Sequence, residues 1–363
     1  MKTLIVIGTR PNFIKVTQFK KIASNYSSID LKIVHTGQHY DDKMADVFFK
    51  QFELVPDYFL NISQGSPNYQ IAEIMQKLEH LILNDFKPDL LIVVGDVNST
   101  LAASLTANKM GIKLGHIESG LRSFDHSMPE EHNRIITDKL SDLFFVTEQS
   151  GYDNLVLEGI DKEKIIFVGN TMIDTMVAFE KDIDNSNVLN QYALTKNDFV
   201  LMTMHRPATV DNFEELHKLY ALIEDLTIKY KVFFPIHPRT LNRMEEFGLK
   251  EKFLANPKII LADPLDYFAF QKLVKECQFI ITDSGGIQEE STFLGKPCLT
   301  LRPNTERPVT VTEGTNTLVP FELDIIKNIV SQIESGIYKK GRVPKLWDGK
   351  STERILNYLS NQS

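Results

Sequence analysis

Cysteine is scarce: two residues, Cys277 and Cys298, in a chain of 363. Neither belongs to a CxxC pair and both sit in apolar, strand-like surroundings. A disulfide framework is thereby excluded, and two buried, reduced thiols are expected. Long apolar runs are missing as well, so no transmembrane helix is expected. Met1 to Gly8 is one strand long, and no signal peptide is read there. A cytoplasmic protein with no membrane partner is the expectation. Excess basic charge is also absent: 40 Lys and Arg stand against 48 Asp and Glu, a net charge of −8. Nucleic acid is therefore not an expected partner, and any anionic ligand must be met by a few locally gathered Arg and Lys.

Several motifs are lacking too. No HExxH, EF-hand or His/Cys cluster occurs, so no metal is expected. No GxGxxG follows the first strand, so no nicotinamide cofactor is expected. The segment Gly8 to Lys15, GTRPNFIK, is not a P-loop, because it lacks GxxxxGK[ST]. There is no short repeat, low-complexity tract or coiled-coil heptad.

What is present is an alternation of short apolar runs and amphipathic stretches, in a composition ordinary for globular proteins. In the first half, strands are expected at 4–8, 31–34, 90–94, 113–117, 143–146 and 165–168. Helices are expected at 12–26, 41–52, 68–86, 99–109, 131–141 and 150–158. The second half repeats the theme, with strands near 199–204, 232–236, 258–261, 279–282 and 297–301. Its helices are expected at 212–230, 238–247, 266–277 and 287–294. The pattern gives an α/β fold of two Rossmann-like domains facing a central cleft. Residues 1–175 form the first and 176–350 the second; a last helix, 351–363, packs back on the first. The polar stretch Lys181 to Lys196 is expected to be the junction.

In such folds ligands bind where strands end. The apolar run Phe279 to Ile281 leads into Ser284-Gly285-Gly286 and then a helix. A strand, a glycine turn and a helix start leave backbone N–H groups for a phosphate. Glu289 and Glu290, one turn on, suit a pair of ribose hydroxyls. Arg10 and Lys15 stand at a helix start after the first strand and suit an anion, although Lys15 is equally at home as surface charge. Asp96, Glu118 and Glu130 put three carboxylates at strand or helix ends. Their helix-cap and dipole roles compete with general acid/base work, in which crowded like charges push some of the group toward the protonated form. Glu118, among small and apolar neighbours, is expected to be partly desolvated. His205 and His237 end the first two strands of the second half, and Arg307 follows its last. A lone histidine there is more often structural; a pair favours function.

These segments carry a resemblance. GTRPNFIK, TGQHY, GDVNST, GHIESGLRS, MPEEHNR, VGNTMID, MHRP, HPR, TDSGGIQEE, GKP and TERPVTV occur in this order between Gly8 and about Val319. Any one is weak; together the chain resembles the non-hydrolysing UDP-N-acetylglucosamine 2-epimerases, whose two-domain fold is like that of GT-B glycosyltransferases. The resemblance implies reversible inversion at C2 between UDP-GlcNAc and UDP-ManNAc, through loss of UDP to 2-acetamidoglucal and its re-addition. It implies acid/base roles for Asp96, Glu118 and Glu130, and His205 beside the reacting diphosphate. Arg10 and Lys15 would face phosphates or sugar, and Phe270 the uracil. Ser284, Gly285 and Gly286 would hold the diphosphate, Glu290 the ribose and Arg307 the nucleotide. A homodimer without cofactor, supplying ManNAc units for cell-surface polysaccharide, is also implied. Members activated by their own substrate carry arginines where this chain has Tyr40 and Pro67-Asn68-Tyr69, which argues against a second UDP-GlcNAc site. Epimerases of UDP-2,3-diacetamido uronic acids share much of the pattern but read Gly-Asp where this chain has Gly169-Asn170. A GT-B glycosyltransferase, a hydrolysing epimerase and a nucleotide-sugar sensor are the other readings.

Overall fold

The computed structural model describes residues 1–37, 49 and 51–362. The helix expected over 41–52 falls almost wholly outside the described residues, as do Gln38, His39 and Tyr40. The chain divides into two units, Met1–Ala178 with Lys345–Ser363, and Phe179–Pro344.

Unit 1 holds a parallel sheet built from β1 (Lys2–Ile7), β2 (Asp30–His35), β3 (Tyr58–Phe59), β4 (Leu90–Val94), β5 (Lys113–Ile117), β6 (Leu143–Val146) and β7 (Ile165–Phe167). Their spatial order is β3-β2-β1-β4-β5-β6-β7. Central strands read as unbroken apolar runs because helices cover both faces; all five residues of β4 are buried. The chain turns from one direction across the sheet to the other between β1 and β4, so the loops after those two strands border the crevice of this fold. Gly8 permits the tight join there: a Cβ on it would lie 2.0 Å from the Ser99 hydroxyl oxygen.

The single helix expected over 12–26 is two, Arg10–Ile14 and Phe19–Ala23. In a continuous helix the Ile14 carbonyl would accept the N–H of Gln18; here it accepts the Thr175 hydroxyl. That hydroxyl also meets Thr17 Oγ1 at 2.6 Å. The backbone between the two helices instead makes tighter i to i+3 bonds, such as Lys15 N–H to Asn12 O and Val16 N–H to Phe13 O.

The chain end completes unit 1. The buried Asp174 carboxylate accepts the backbone N–H groups of Ser351 and Thr352, capping the helix Ser351–Ser360. Trp347, 2 % exposed, donates its indole N–H to Thr147 O at 3.0 Å.

Unit 2 holds β8 (Phe199–Thr203), β9 (Lys231–Pro235), β10 (Ile259–Ala262), β11 (Phe279–Thr282), β12 (Cys298–Thr300) and β13 (Asn316–Leu318). Their order is β10-β9-β8-β11-β12-β13, again all parallel. Side-chain alternation sends Val200, Met202, Phe234 and Ile281 into one core, and Phe199, Leu201, Phe233 and Ile280 into another across the sheet. Each fully buried side chain of this size contributes about 1.5–3 kcal/mol. Strand β13 and the helix Leu323–Glu334 have no counterpart among the expected elements. The polar stretch 181–196 belongs to unit 2: Ile183, Val188 and Leu194 are buried within it, and the division falls between Ala178 and Phe179.

Cys277 and Cys298 are free and buried. Burial pushes their thiols up to about 12 and about 11, so neither is a nucleophile at neutral pH. No helix among the described residues is long and apolar enough to cross a membrane.

Candidate active site

The crevice loops of unit 1 carry five of the expected residues. Arg10 opens the helix after β1 and is half-buried. Lys15, the C-cap residue of that helix, is 5 % exposed and its ammonium meets Glu118 Oε2 at 2.6 Å. Lys15 is therefore not surface charge: its ion-pair partner Glu118 is itself buried. Glu118 follows β5 with φ +69°, a left-handed backbone seldom taken by a residue with a side chain. The Glu118 N–H is bonded to Phe145 O on β6.

Asp96 follows Gly95 at the end of β4. Its Oδ2 accepts Arg134 Nε at 2.9 Å, and its carbonyl accepts Asn133 Nδ2 at 2.8 Å. A Cβ on Gly95 would stand 3.6 Å from both Lys15 Nζ and Glu118 Oε2, which puts the residue before Asp96 beside that pair. Glu130 is exposed in the first turn of the helix Pro129–Leu140, four residues before Arg134. Asp96 and Glu118 each have a cation at hydrogen-bond distance.

Beneath these loops lies a buried charge network that the sequence reading missed. Asp138 accepts His116 Nδ1 at 2.7 Å, Arg122 at 2.7 Å and the Gly120 N–H at 3.0 Å. His116 Nε2 reaches the Gly95 carbonyl at 2.8 Å. Burial works to raise the Asp138 carboxyl, but the charges and hydrogen bonds of His116 and Arg122 prevail and hold it below the ordinary carboxylate value. One aspartate therefore braces the loop before Asp96 and the loop after Glu118.

In unit 2 the corresponding crevice lies between β8 and β11. His205, half-exposed after β8, points Nδ1 at Asp283 Oδ1, 3.0 Å away. Asp283 Oδ2 accepts the backbone N–H groups of His205 and Arg206 at 2.9 and 2.8 Å. Asp283 stands right after the apolar β11 and before Ser284, and a polar residue at the buried end of an apolar strand was the signal for it. The His237 ring is 5.4 Å from that of His205, and its Nδ1 accepts the Arg239 N–H. Desolvation first, then the charges of His205 and Arg239, hold His237 below the ordinary histidine value.

Ser284, Gly285 and Gly286 join β11 to the helix Gly286–Phe293. The Ser284 N–H turns back to Thr282 Oγ1 at 2.9 Å. Gly285 takes the N-cap position with no side chain to cap the first turn, so the N–H groups there suit an anion. Of the two glutamates one turn on, Glu289 is fully buried with Oε2 2.6 Å from Arg307 Nε. Glu290, 6 % exposed, helps to push the buried Tyr267 hydroxyl well above its ordinary value, after burial itself. Arg307 is also paired with Glu306, and its N–H reaches Thr305 Oγ1 at 3.1 Å. Phe270 is half-buried on the helix Tyr267–Glu276 and packs against the core containing Phe199 and Phe233. Among the described residues, no group of three or more His, Cys, Asp or Glu is placed to hold a metal ion.

Comparison with known proteins decides the family. The family model described as UDP-N-acetylglucosamine 2-epimerase matches residues 21–360. The chain belongs to the UDP-N-acetylglucosamine 2-epimerase family. A UDP-N-acetylglucosamine 2-epimerase of Methanococcus maripaludis is 41% identical over 335 residues, 91% of this chain and 90% of the relative. The crystal structure of the Methanocaldococcus jannaschii UDP-GlcNAc 2-epimerase in complex with UDP-GlcNAc and UDP is 39% identical. It aligns with TM-score 0.88 over 99% of this chain and 100% of that one. A UDP-2,3-diacetamido-2,3-dideoxy-D-glucuronate 2-epimerase of Pseudomonas aeruginosa is 36% identical over 99% of both chains. Asn170 is fully buried and its side chain accepts the Met172 N–H at 2.9 Å, a capping task that Asp performs equally well.

Proposed function

We propose that the protein interconverts UDP-GlcNAc and UDP-ManNAc without hydrolysing either. The observation that carries the reading is the placement of the buried Glu118–Lys15 pair against Gly95, the residue before Asp96, at the strand-order reversal of unit 1. Family membership supplies the substrate class.

C2 of the sugar has no neighbouring carbonyl, so its proton is not acidic. Elimination solves this. A base takes the C2 proton, the C2–H electrons form the C1=C2 double bond, and the C1–O bond breaks with its electrons leaving on UDP. Return of a proton to the opposite face of C2, with attack of the UDP oxygen on C1, completes the inversion. The chemistry needs a base, an acid and a stabilised leaving group. Asp96, Glu118 and Glu130 are assigned to proton transfer, with Arg10 and Lys15 facing sugar or phosphate. His205, oriented by Asp283, is assigned to the departing diphosphate, and Ser284 to Gly286 to its binding. Phe270, Glu290 and Arg307 are assigned to uracil, ribose and nucleotide. No metal or nicotinamide takes part in this scheme. A cytoplasmic homodimer providing ManNAc units for cell-surface polysaccharide is the setting proposed.

Proton NMR of the protein with UDP-GlcNAc alone, in heavy water, tests the reading. UDP-ManNAc anomeric signals and deuterium at C2 of both sugars are expected. Accumulation of free UDP and ManNAc indicates a hydrolysing enzyme. Silence with UDP-GlcNAc but turnover of a UDP-2,3-diacetamido uronic acid moves the substrate to that class.

A further inference from the structure

Glu131 is the neighbour of the exposed Glu130, yet it is fully buried and organises the ground beside Asp96. Its Oε2 accepts the Ser123 N–H and the Ser123 hydroxyl, both at 2.9 Å, and its Oε1 accepts the Phe124 N–H at 3.0 Å. These donors fix the carboxylate, and they hold Phe124 at φ +58° although the residue is 72% exposed. The same Glu131 oxygen grips Arg134 Nη1.

Arg134 has a side chain only 3% exposed and uses its other edge on the active-site loop, Nε to Asp96 Oδ2 at 2.9 Å. A guanidinium is planar and rigid, so a grip on one edge sets the direction of the other. Asn133, the preceding residue, holds the Asp96 carbonyl at 2.8 Å. Main chain and side chain of Asp96 are therefore both registered on one helix, Pro129–Leu140, whose first turn also carries Glu130. A rigid element that references two proton-transfer groups to each other holds their spacing.

We propose that Arg134, anchored by the buried Glu131, is the positioning residue that presents the Asp96 carboxylate for proton transfer at the sugar. The inference rests on the acid/base reading of Asp96. Arg134 does not itself touch the reacting atoms, so its removal acts through Asp96.

A double-mutant cycle on kcat tests this, using Asp96→Asn, Arg134→Gln and the double variant in the full-length protein, with Arg134→Lys as the conservative change. Arg134→Gln is expected to lower kcat by about 10²-fold, the scale of a misplaced catalytic group, with KM little changed. Arg134→Lys should recover part of the loss. In the Asp96→Asn background the Arg134 change should cost almost nothing more, because what it positions is gone. Additive losses, or wild-type turnover in Arg134→Gln, overturn the proposal. If Arg134→Gln does not fold by circular dichroism, Arg134→Lys is run through the same cycle. A kcat loss confined to the Asp96 background supports the proposal, and wild-type turnover overturns it. Full activity of Asp96→Asn alone removes the acid/base reading itself, and the inference falls with it. That one variant separates the two failures.

Discussion

The two sheets share the strand order 3-2-1-4-5-6 counted within each unit, with a seventh strand added at the edge in unit 1, and their reversal points differ in what the loops carry. In unit 1 the loops bring carboxylates and cations together in matched pairs, Lys15 with Glu118 and Arg134 with Asp96. In unit 2 they bring a histidine, a serine and two glycines to a helix start, with one aspartate behind them. Each crevice is nonetheless braced by a buried aspartate: Asp138 in unit 1, Asp283 in unit 2. The topology fixes where a ligand is met; the loop residues decide whether protons are moved or an anion is held.

The sharpest way to break this division is to remove charge from the unit 1 loops. Asp96→Asn and Glu118→Gln keep shape and reach but lose the ability to take a proton. Each is expected to lower turnover by a factor on the order of 10²–10⁴. UDP affinity, measured by calorimetry, should barely move, because the proposed diphosphate loop, Ser284 to Gly286, is in the other unit. Equal losses in UDP affinity and turnover would merge the two roles.

The bracing aspartates come next. Asp138→Ala strips the buried His116 of its carboxylate and leaves the buried Arg122 with Glu158 in place of two acids, and is expected to cost about 3–5 kcal/mol in urea unfolding. A loss under about 1 kcal/mol would mean that the network is not a brace.

Asp283 gives a pH-dependent version of the same test. Burial works to raise its carboxyl, but the His205 ring and the N–H groups of Arg206 and His205 outweigh burial and hold it below the ordinary value of 3.8. The native state thus favours the ionised form, and the stabilisation is present above 3.8 and lost as pH falls through the lower native value. Wild-type protein should lose stability on acidification below about pH 4, and Asp283→Asn should show a shallower loss in that window. Parallel acid curves for the two would remove Asp283 from the account.

Much of this was legible in the sequence, for a physical reason. Strands buried on both faces read as continuous apolar runs, so Leu90 to Val94 and Phe279 to Thr282 stand out. Glycine turns mark strand-to-helix joins, so the crevice loops stand out too. The short pieces were not legible: Tyr58–Phe59 is two residues, and Asn316–Leu318 is three with a polar start. Partnering was not legible either. Nothing local distinguishes Lys15 as a buried ion-pair partner of a residue 103 positions away. The Glu131–Arg134 spacing of three residues on a helix was visible, yet which of Glu130 and Glu131 turns inward depends on the loop at Ser123 and Phe124.

The smallest expected effect distinguishes the two crevices by their glycines. Gly95 has φ +66°, and a Cβ there would find nothing closer than 3.4 Å. Gly95→Ala therefore meets room but the wrong backbone, and should cost about 1–2 kcal/mol of stability from the left-handed conformation. Gly285 has an ordinary helical φ of −75°. Its added Cβ would instead approach Glu306 Oε1 at 2.9 Å and Arg307 Nη1 at 3.3 Å, the ends of flexible side chains that can shift. Gly285→Ala should leave stability nearly unchanged and weaken UDP binding about tenfold, ~1.4 kcal/mol, by crowding the anion seat and displacing Arg307. Thermal unfolding and UDP calorimetry on the pair give a crossed result if the comparison holds. Loss of UDP affinity in Gly95→Ala with full affinity in Gly285→Ala would place the diphosphate in unit 1 instead.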